Sequence, residues 1–257
     1  MNFYSHMVEK SLFIFICCGL LFLASCTGTQ KLSETDYHSS TKDAKQVVNQ
    51  LPSYSETLKT AEGKGRAIVS EPGNTERVTL IFASNRAKSL VTVRNSIGIQ
   101  GGQLLTDGDT LLVYNKVDKY ARKIPVRGGN LDHINRLASL NILDILNYTV
   151  NLEDVQNVLE NDQSFQLLLS TGTKVFINKE SHYINEIIQP EDSELPYSKI
   201  QYEGYTEIND YMLPRRITIF GAEQKSKIAL QLNNLELNSR IDSLTIQLPD
   251  DIRIYHQ

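Results

Sequence analysis

Few groups in this chain have both the type and the spacing that catalysis needs. The five histidines are His6, His38, His133, His182 and His256, and none has a second histidine at a metal-binding interval. No H-E-x-x-H, C-x-x-C or G-x-S-x-G motif occurs, and Gly63-Lys64-Gly65 is only a fragment of a phosphate-binding loop. The acidic pairs Glu191-Asp192 and Asp250-Asp251 fall in polar segments, where solvation accounts for them. A hydrolase of envelope polymers would need two carboxylates facing each other across a cleft, a distance that sequence does not show. The expectation is therefore no catalytic residue, no metal and no cofactor. One reactive group does have a context. Cys26 ends the run Leu23-Ala24-Ser25-Cys26, directly after an apolar stretch that begins at Ser11.

That stretch has the length of a signal-peptide core and is too short to span a bilayer, which takes about 20 apolar residues. With small residues before the cysteine, it resembles the lipobox of bacterial lipoproteins. The alternative is an ordinary secretory signal with a chance cysteine. Cleavage before Cys26 would remove residues 1–25 and leave Cys26 as a lipidated N-terminus. Cys17 and Cys18 leave with the signal, so the mature chain has neither a free thiol nor a disulfide, and its core alone must hold the fold. A net charge of −4 argues against nucleic acid and against peripheral binding to anionic membranes through a basic patch. Attachment falls to acyl chains, at about 0.8 kcal/mol per buried methylene.

The elements behind Cys26 read as follows. Residues 26–40 are polar and aperiodic, a flexible tether. Ala44, Val47, Val48 and Leu51 follow helical spacing, with Ser40 and Asp43 as a capping pair; Pro52 breaks the helix and Ser53-x-x-Glu56 restarts it toward Ala61. From Gly63 the period falls to two, predicting strands at 63–71, 75–83, 87–97, 99–106, 110–116 and 119–125. Their short turns require antiparallel pairing. A long helix is expected over 130–147 and a second over 151–160. Strands resume at 164–170, 174–179, 182–189, 197–206, 214–221 and 226–238.

The expected class is α+β: one curled antiparallel sheet, a half-barrel of about 11–12 strands, with helices covering its concave face, in a domain spanning 41–257. The wide apolar surface of 131–146 suits a lid helix that touches both the sheet and an enclosed ligand. A helix wedged into an ordinary core is the other reading. Alternation and stripe position name Ile68, Val78, Leu80, Phe82, Val91, Leu137, Leu140 and Ile145 as cavity candidates.

The order of these parts resembles the LolA/LolB family of lipoprotein carriers and outer-membrane receptors, and most of all uncharacterised LolB-like lipoproteins of Bacteroidetes. Gly65-Arg66-Ala67-Ile68-Val69-Ser70 resembles the first LolB strand and Val78-Thr79-Leu80-Ile81-Phe82 the second. Leu90 to Gly98 resembles the third strand and the following loop, which reads Asn-Pro-Leu-Gly in the family. Leu213-Pro214, Ile217, Ile219, Lys227 to Leu230, Leu237-Asn238 and Leu248-Pro249 continue the likeness. The resemblance implies an outer-membrane lipoprotein facing the periplasm. It would take acyl chains of lipids or lipoproteins into an apolar cavity, with a LolA-like periplasmic carrier as partner. It also implies a membrane-contact loop at Asn95, Ile97 and Gly98, with Ile97 in the place of the projecting leucine. Ser96 departs from the family's proline, and the chain has no tryptophan. Ile97 could equally be a strand-end residue facing the core. The alternative function is a non-catalytic accessory lipoprotein of the same fold with no ligand.

Overall fold

The computed structural model describes residues 37–256. Cys26, the apolar run and residues 26–36 of the expected tether lie outside them. Among the described residues no helix is long and apolar enough to cross a membrane.

The architecture is a single 15-stranded sheet. Its first half is a meander of β2 (Thr60–Glu71), β3 (Asn74–Asn85), β4 (Ser89–Arg94), β5 (Gln100–Thr106), β6 (Thr110–Asn115) and β7 (Tyr120–Pro125). Its second half runs through β8 (Val155–Glu160), β9 (Ser164–Leu169), β10 (Lys174–Asn178), β11 (Ile184–Ile188), β12 (Tyr197–Ile208), β13 (Tyr211–Gly221) and β14 (Lys227–Leu237). β14 pairs with β2 and joins the halves. Two short strands close the edges: β1 (His38–Ser39) beside β8, and β15 (Ile254–His256) beside β7, the latter parallel. The expected class, a curled antiparallel sheet under helices, is the one found, with more strands than expected because both terminal segments join it and 155–160 is a strand. Residues 37–40 consequently belong to the sheet and not to a tether: Ser40 N–H donates to the Val158 carbonyl and the Tyr37 hydroxyl lies 2.5 Å from Ser164 Oγ.

The helical insert differs from the expected single rod over 130–147. It is two short helices, α2 (His133–Ala138) and α3 (Ile142–Leu146), separated at Ser139–Asn141. Asn141 ends the first helix and starts the second because its side-chain oxygen accepts from Leu143 N–H at 2.9 Å. The expected helix over 151–160 is a 3₁₀ turn, Leu152–Asp154, followed by β8. The Asn161 carboxamide accepts from Gln163 and Ser164 N–H and folds the chain back, so 155–160 gains a strand partner in β9. The leading helix α1 (Ala44–Val48) is capped by Asp43 with Gln46, not by Ser40 with Asp43. It ends before Pro52. The restart toward Ala61 amounts to one helical turn, in which Leu58 N–H donates to the Tyr54 carbonyl at 2.9 Å.

The strands approach closely where β2 meets β14. Gly63 and Gly65 lie in a strand there, not in a phosphate loop. A Cβ on Gly63 would sit 2.6 Å from the Phe82 ring and 2.7 Å from the Asn234 carbonyl, and one on Gly65 would sit 2.6 Å from the Gln231 carbonyl. The β14 register slips between Leu232 and Asn234 at the same place, a bulge that bends the sheet.

Candidate functional site: the space under the helical cover

Cross-strand register settles which side chains face the helices. Ala61, Gly63, Gly65 and Ala67 stand opposite Ser84, Phe82, Leu80 and Val78, and these continue across to Val91, Leu104 and Val113. On the other half of the same face are Leu167, Val175, Ile187, Ile200, Ile217 and Leu232. α2 lies against β13 and β2, α3 against β3, and α1 against β8. Leu137, Leu143 and Leu146 of the cover join Phe82 and the second-half strands in one buried cluster. Leu131 and Ala138 complete a smaller cluster with Leu111 and Ile124.

The expected cavity residues therefore divide. Phe82 and Leu137 are buried in the main cluster, and Val91, Leu140 and Ile145 pack against it half-buried. Val78 and Leu80 are on the same face, half-buried beyond the cover. Ile68 is on the wrong face. Because Ala67 points inward, Ile68 points outward, 39% exposed, beside a groove of about 540 Å³ lined also by Arg66, Arg77, Thr79 and the Arg216–Glu203 ion pair. Of the two readings the sequence left open, an enclosed space or an ordinary core, Phe82 and Leu137 pack as core residues, with Val91, Leu140 and Ile145 against them.

Polar contacts between cover and sheet are few and specific. Ser84 Oγ and Ser89 Oγ, 2.6 Å apart on adjacent strands, both reach α3: Ile142 N–H donates to Ser89 Oγ at 2.9 Å and Leu143 N–H to Ser84 Oγ at 3.3 Å. Ser84 Oγ is also 2.9 Å from Asn141 Oδ1, and Thr106 Oγ1 donates to the Ser139 carbonyl at 3.0 Å. These hydroxyls satisfy the break between α2 and α3, which would otherwise bury unpaired backbone groups. Arg86 ties the rim together. Its guanidinium donates to the Leu58 carbonyl at 2.8 and 3.1 Å and to the Tyr54 carbonyl at 3.1 Å, and pairs with Asp144 of α3 at 3.3 Å. Partial burial pushes the Asp144 carboxyl above the usual carboxylate range, and Arg86 opposes that shift. The serines and Arg86 were not named from sequence. The signal for the serines was polarity at inward-facing positions of otherwise apolar strands; Arg86, in the β3–β4 turn, had none.

A small void remains at the edge of the cover, about 30 Å³, walled by Tyr54, Tyr148, Tyr183, Tyr202 and Tyr205 with Asn147 and Leu213. The Tyr202 hydroxyl and the Asn147 amide nitrogen are buried there without a hydrogen-bond partner among the described residues. The volume and the two orphan groups suit one water. Burial raises the phenol pKa of Tyr202 well above its ordinary value. No group of three or more His, Cys, Asp or Glu side chains able to hold a metal occurs among the described residues.

No protein-family model matches the chain, and no curated relative matches it. Solved structures do. A putative outer membrane lipoprotein-sorting protein domain from Vibrio parahaemolyticus superposes with a TM-score of 0.51 at 10% identity, over 77% of this chain and 92% of that one. A LolA superfamily protein from Nitrosomonas europaea gives 0.50 at 12% identity, over 78% and 96%. The fold is LolA-like. A DUF1329 family protein from Desulfovibrio piger shares it too, with a TM-score of 0.53 at 13% identity over 77% and 92%. These superpositions show the LolA-like architecture, a half-barrel under a helical cover, and at such low identity nothing finer.

Proposed function

We propose that this protein is a non-catalytic lipoprotein of the outer membrane, facing the periplasm, that handles acyl chains under its helical cover. Cleavage before Cys26 and acylation of its thiol would anchor the chain, with residues 26–36 as the leash. The observation that carries the reading is the way the cover is held. Its underside and the sheet beneath are apolar, while the polar contacts that hold α2 and α3 to the sheet run through Ser84, Ser89, Thr106, the Asn141 amide, which donates to the Asn85 carbonyl at 2.9 Å, and the Arg86 rim. Such a cover can swing away at the cost of a handful of hydrogen bonds and expose a broad apolar trough to an acyl chain. Burial of that chain at about 25 cal/mol per Å² then offsets the loss of cover packing. Asn95, Ile97 and Gly98 would form the loop that meets the membrane during delivery, and a LolA-like periplasmic carrier is the expected donor.

The test is acyl uptake. Arg86→Ala removes the bonds that tie Tyr54, Leu58 and α3 together. It should raise binding of a fluorescent fatty acid several-fold over the native protein, with co-purifying lipid visible in native mass spectrometry. A second reading, an accessory envelope lipoprotein with no ligand, is favoured by the size of the void under the cover edge, room for about one water. A clean mass for both native and Arg86→Ala proteins, with no uptake by either, decides for it.

A further inference from the structure

Eight large hydrophobic side chains are exposed among the described residues, and five of them fall on three neighbouring elements. Ile97 and Ile99, 78% and 59% exposed, occupy the β4–β5 tip, and Val117, 70% exposed, occupies the β6–β7 tip. Ile254 and Tyr255 begin β15, beside Ala121 and Arg122 of β7. The two tips are physically adjacent, because β5 pairs with β6 and Lys116 N–H donates to the Gly101 carbonyl at 2.9 Å.

The tips are also built alike. Asn95 Oδ1 accepts from Ile97 N–H at 3.2 Å and from Ile99 N–H at 2.9 Å, and Gly98 takes φ +88°. Asn115 Oδ1 accepts from Val117 N–H at 3.0 Å and from Asp118 N–H at 2.9 Å, and Lys119 takes φ +53°. In each, an asparagine side chain fixes the turn so that the aliphatic residue two positions on projects into solvent. A turn whose only constraint was solubility would not present its largest apolar side chain this way. Protruding aliphatic knobs suit a fluid surface better than a shaped protein pocket. Charge identifies the surface further. In a chain of net charge −4, the two tips and the strand end leading into them carry Arg94, Lys116 and Lys119 against the single carboxylate of Asp118. Asp118 is itself engaged by the Asn115 amide at 2.9 Å. Aliphatic knobs framed by cations match an anionic leaflet, with apolar tips among the upper acyl carbons and ammonium groups at the phosphates.

We propose that this end of β4–β7, with Val117 and the start of β15 joining Ile97 and Ile99, is a lipid-bilayer contact surface that orients the domain on an anionic leaflet. The proposal rests on the anchored-lipoprotein reading above and widens its single-loop contact into a two-tip wedge. The eleven residues from Cys26 to Tyr37 reach at most about 40 Å when extended, so the domain works within its own length of the membrane.

The experiment uses the full chain in vesicles of phosphatidylethanolamine with phosphatidylglycerol. No cysteine occurs between residues 37 and 256, so a dye can be placed singly at Ile97→Cys, Val117→Cys or, on the distant β8–β9 turn, Asp162→Cys. Nitroxide-bearing lipids should quench the dye at 97 and 117 several-fold more than at 162. Lys116→Glu with Lys119→Glu should reduce quenching at 97 by at least about fivefold, an effect that vanishes when phosphatidylglycerol is left out. Equal quenching at 117 and 162 overturns the proposal. So does a dye at 117 that is shielded in proportion to protein concentration and untouched by nitroxide lipid, which would mark contact with a second copy. The tips do not touch the cover, so quenched tips in a protein that takes up no acyl chain would defeat only the carrier reading. Dye entering the parent chain at an unmodified Cys26 would defeat only the anchor.

Discussion

At the scale of single residues, the fold turns on a few positions where a side chain must be absent or must be polar. Gly63 is the sharpest case. The Phe82 ring packs over it on one side and the Asn234 carbonyl approaches on the other, so any side chain has to displace one of them. Gly63→Val should cost on the order of 1–3 kcal/mol or more through overpacking, read as a lowered denaturation midpoint. Gly101→Ala is the control, since its Cβ would meet nothing closer than the Val93 carbonyl at 3.9 Å. That change should fall within about 0.5 kcal/mol of native. An unchanged midpoint for Gly63→Val would mean that the sheet does not need its close approach of β2 to β14. Period-two alternation was legible for nearly every strand, because a half-buried strand needs no partner to show its pattern. What sequence could not carry was which parity faces in. Ile68 and Ala67 look like the apolar and the neutral member of a pair, yet the smaller one faces in, between Val78 of β3 and Leu230 of β14.

At the scale of elements, tertiary partners decided the larger departures from the sequence reading. Residues 155–160 have apolar spacing that suits a helix, but the Asn161 turn brings β9 alongside and ladder hydrogen bonds win. The 130–147 segment breaks at Asn141 because Ser84 and Ser89, some fifty residues earlier, supply hydroxyls to its free amides. The same logic fixes the N-terminal edge. Glu160 accepts from Thr41 N–H at 2.8 Å and pairs with Lys179 at 2.8 Å, holding the chain just after β1 to β8. The Lys179 ammonium, followed by the Thr41 amide, lowers the Glu160 carboxyl from 4.5 to about 2. A carboxyl depressed in the folded state stabilises it fully above its unfolded pKa. That contribution drains away as pH falls from about 4.5 toward 2. Glu160→Gln should therefore be less stable than native near neutrality, and the difference should shrink across this window. Urea midpoints at intervals of pH test this, with faster amide exchange at Thr41 in the variant as the local readout. A constant gap between the two proteins at every pH would assign the effect to packing and not to charge.

At the scale of the whole molecule, a wide open sheet has two edges, and an uncovered edge invites pairing with another copy. This chain closes both with its own termini. β1 is a two-residue strand on β8, and β15 reaches β7 from the far side of the meander. The connection from β14 to β15 starts on the outer face, where Ser239 Oγ donates to Glu62 at 2.9 Å, and passes β2 to β7 with Leu244 only 6% exposed. Tyr114 and Ala121 point away from the inner cluster and are nonetheless buried, so the outer face of β6 and β7 is screened as well. None of this was legible in advance, since a three-residue strand in a polar tail has no periodicity to read. The tail also carries Ile254 and Tyr255 into the wedge beside Val117, so one segment caps an edge and extends a surface. Deleting residues 240–256 should remove both. We expect lower thermal stability, by about 1.5–3 kcal/mol from Leu244 alone. Self-association through bare β7 should appear in size-exclusion chromatography, suppressed by Lys123→Pro, because the Lys123 N–H, like that of Ala121, which donates to the Arg253 carbonyl, faces the edge and proline lacks the N–H that an added strand would use. A truncated protein that stays monomeric with an unaltered midpoint would show that β7 protects itself, through the exposed Lys123, and that the tail serves the membrane side alone.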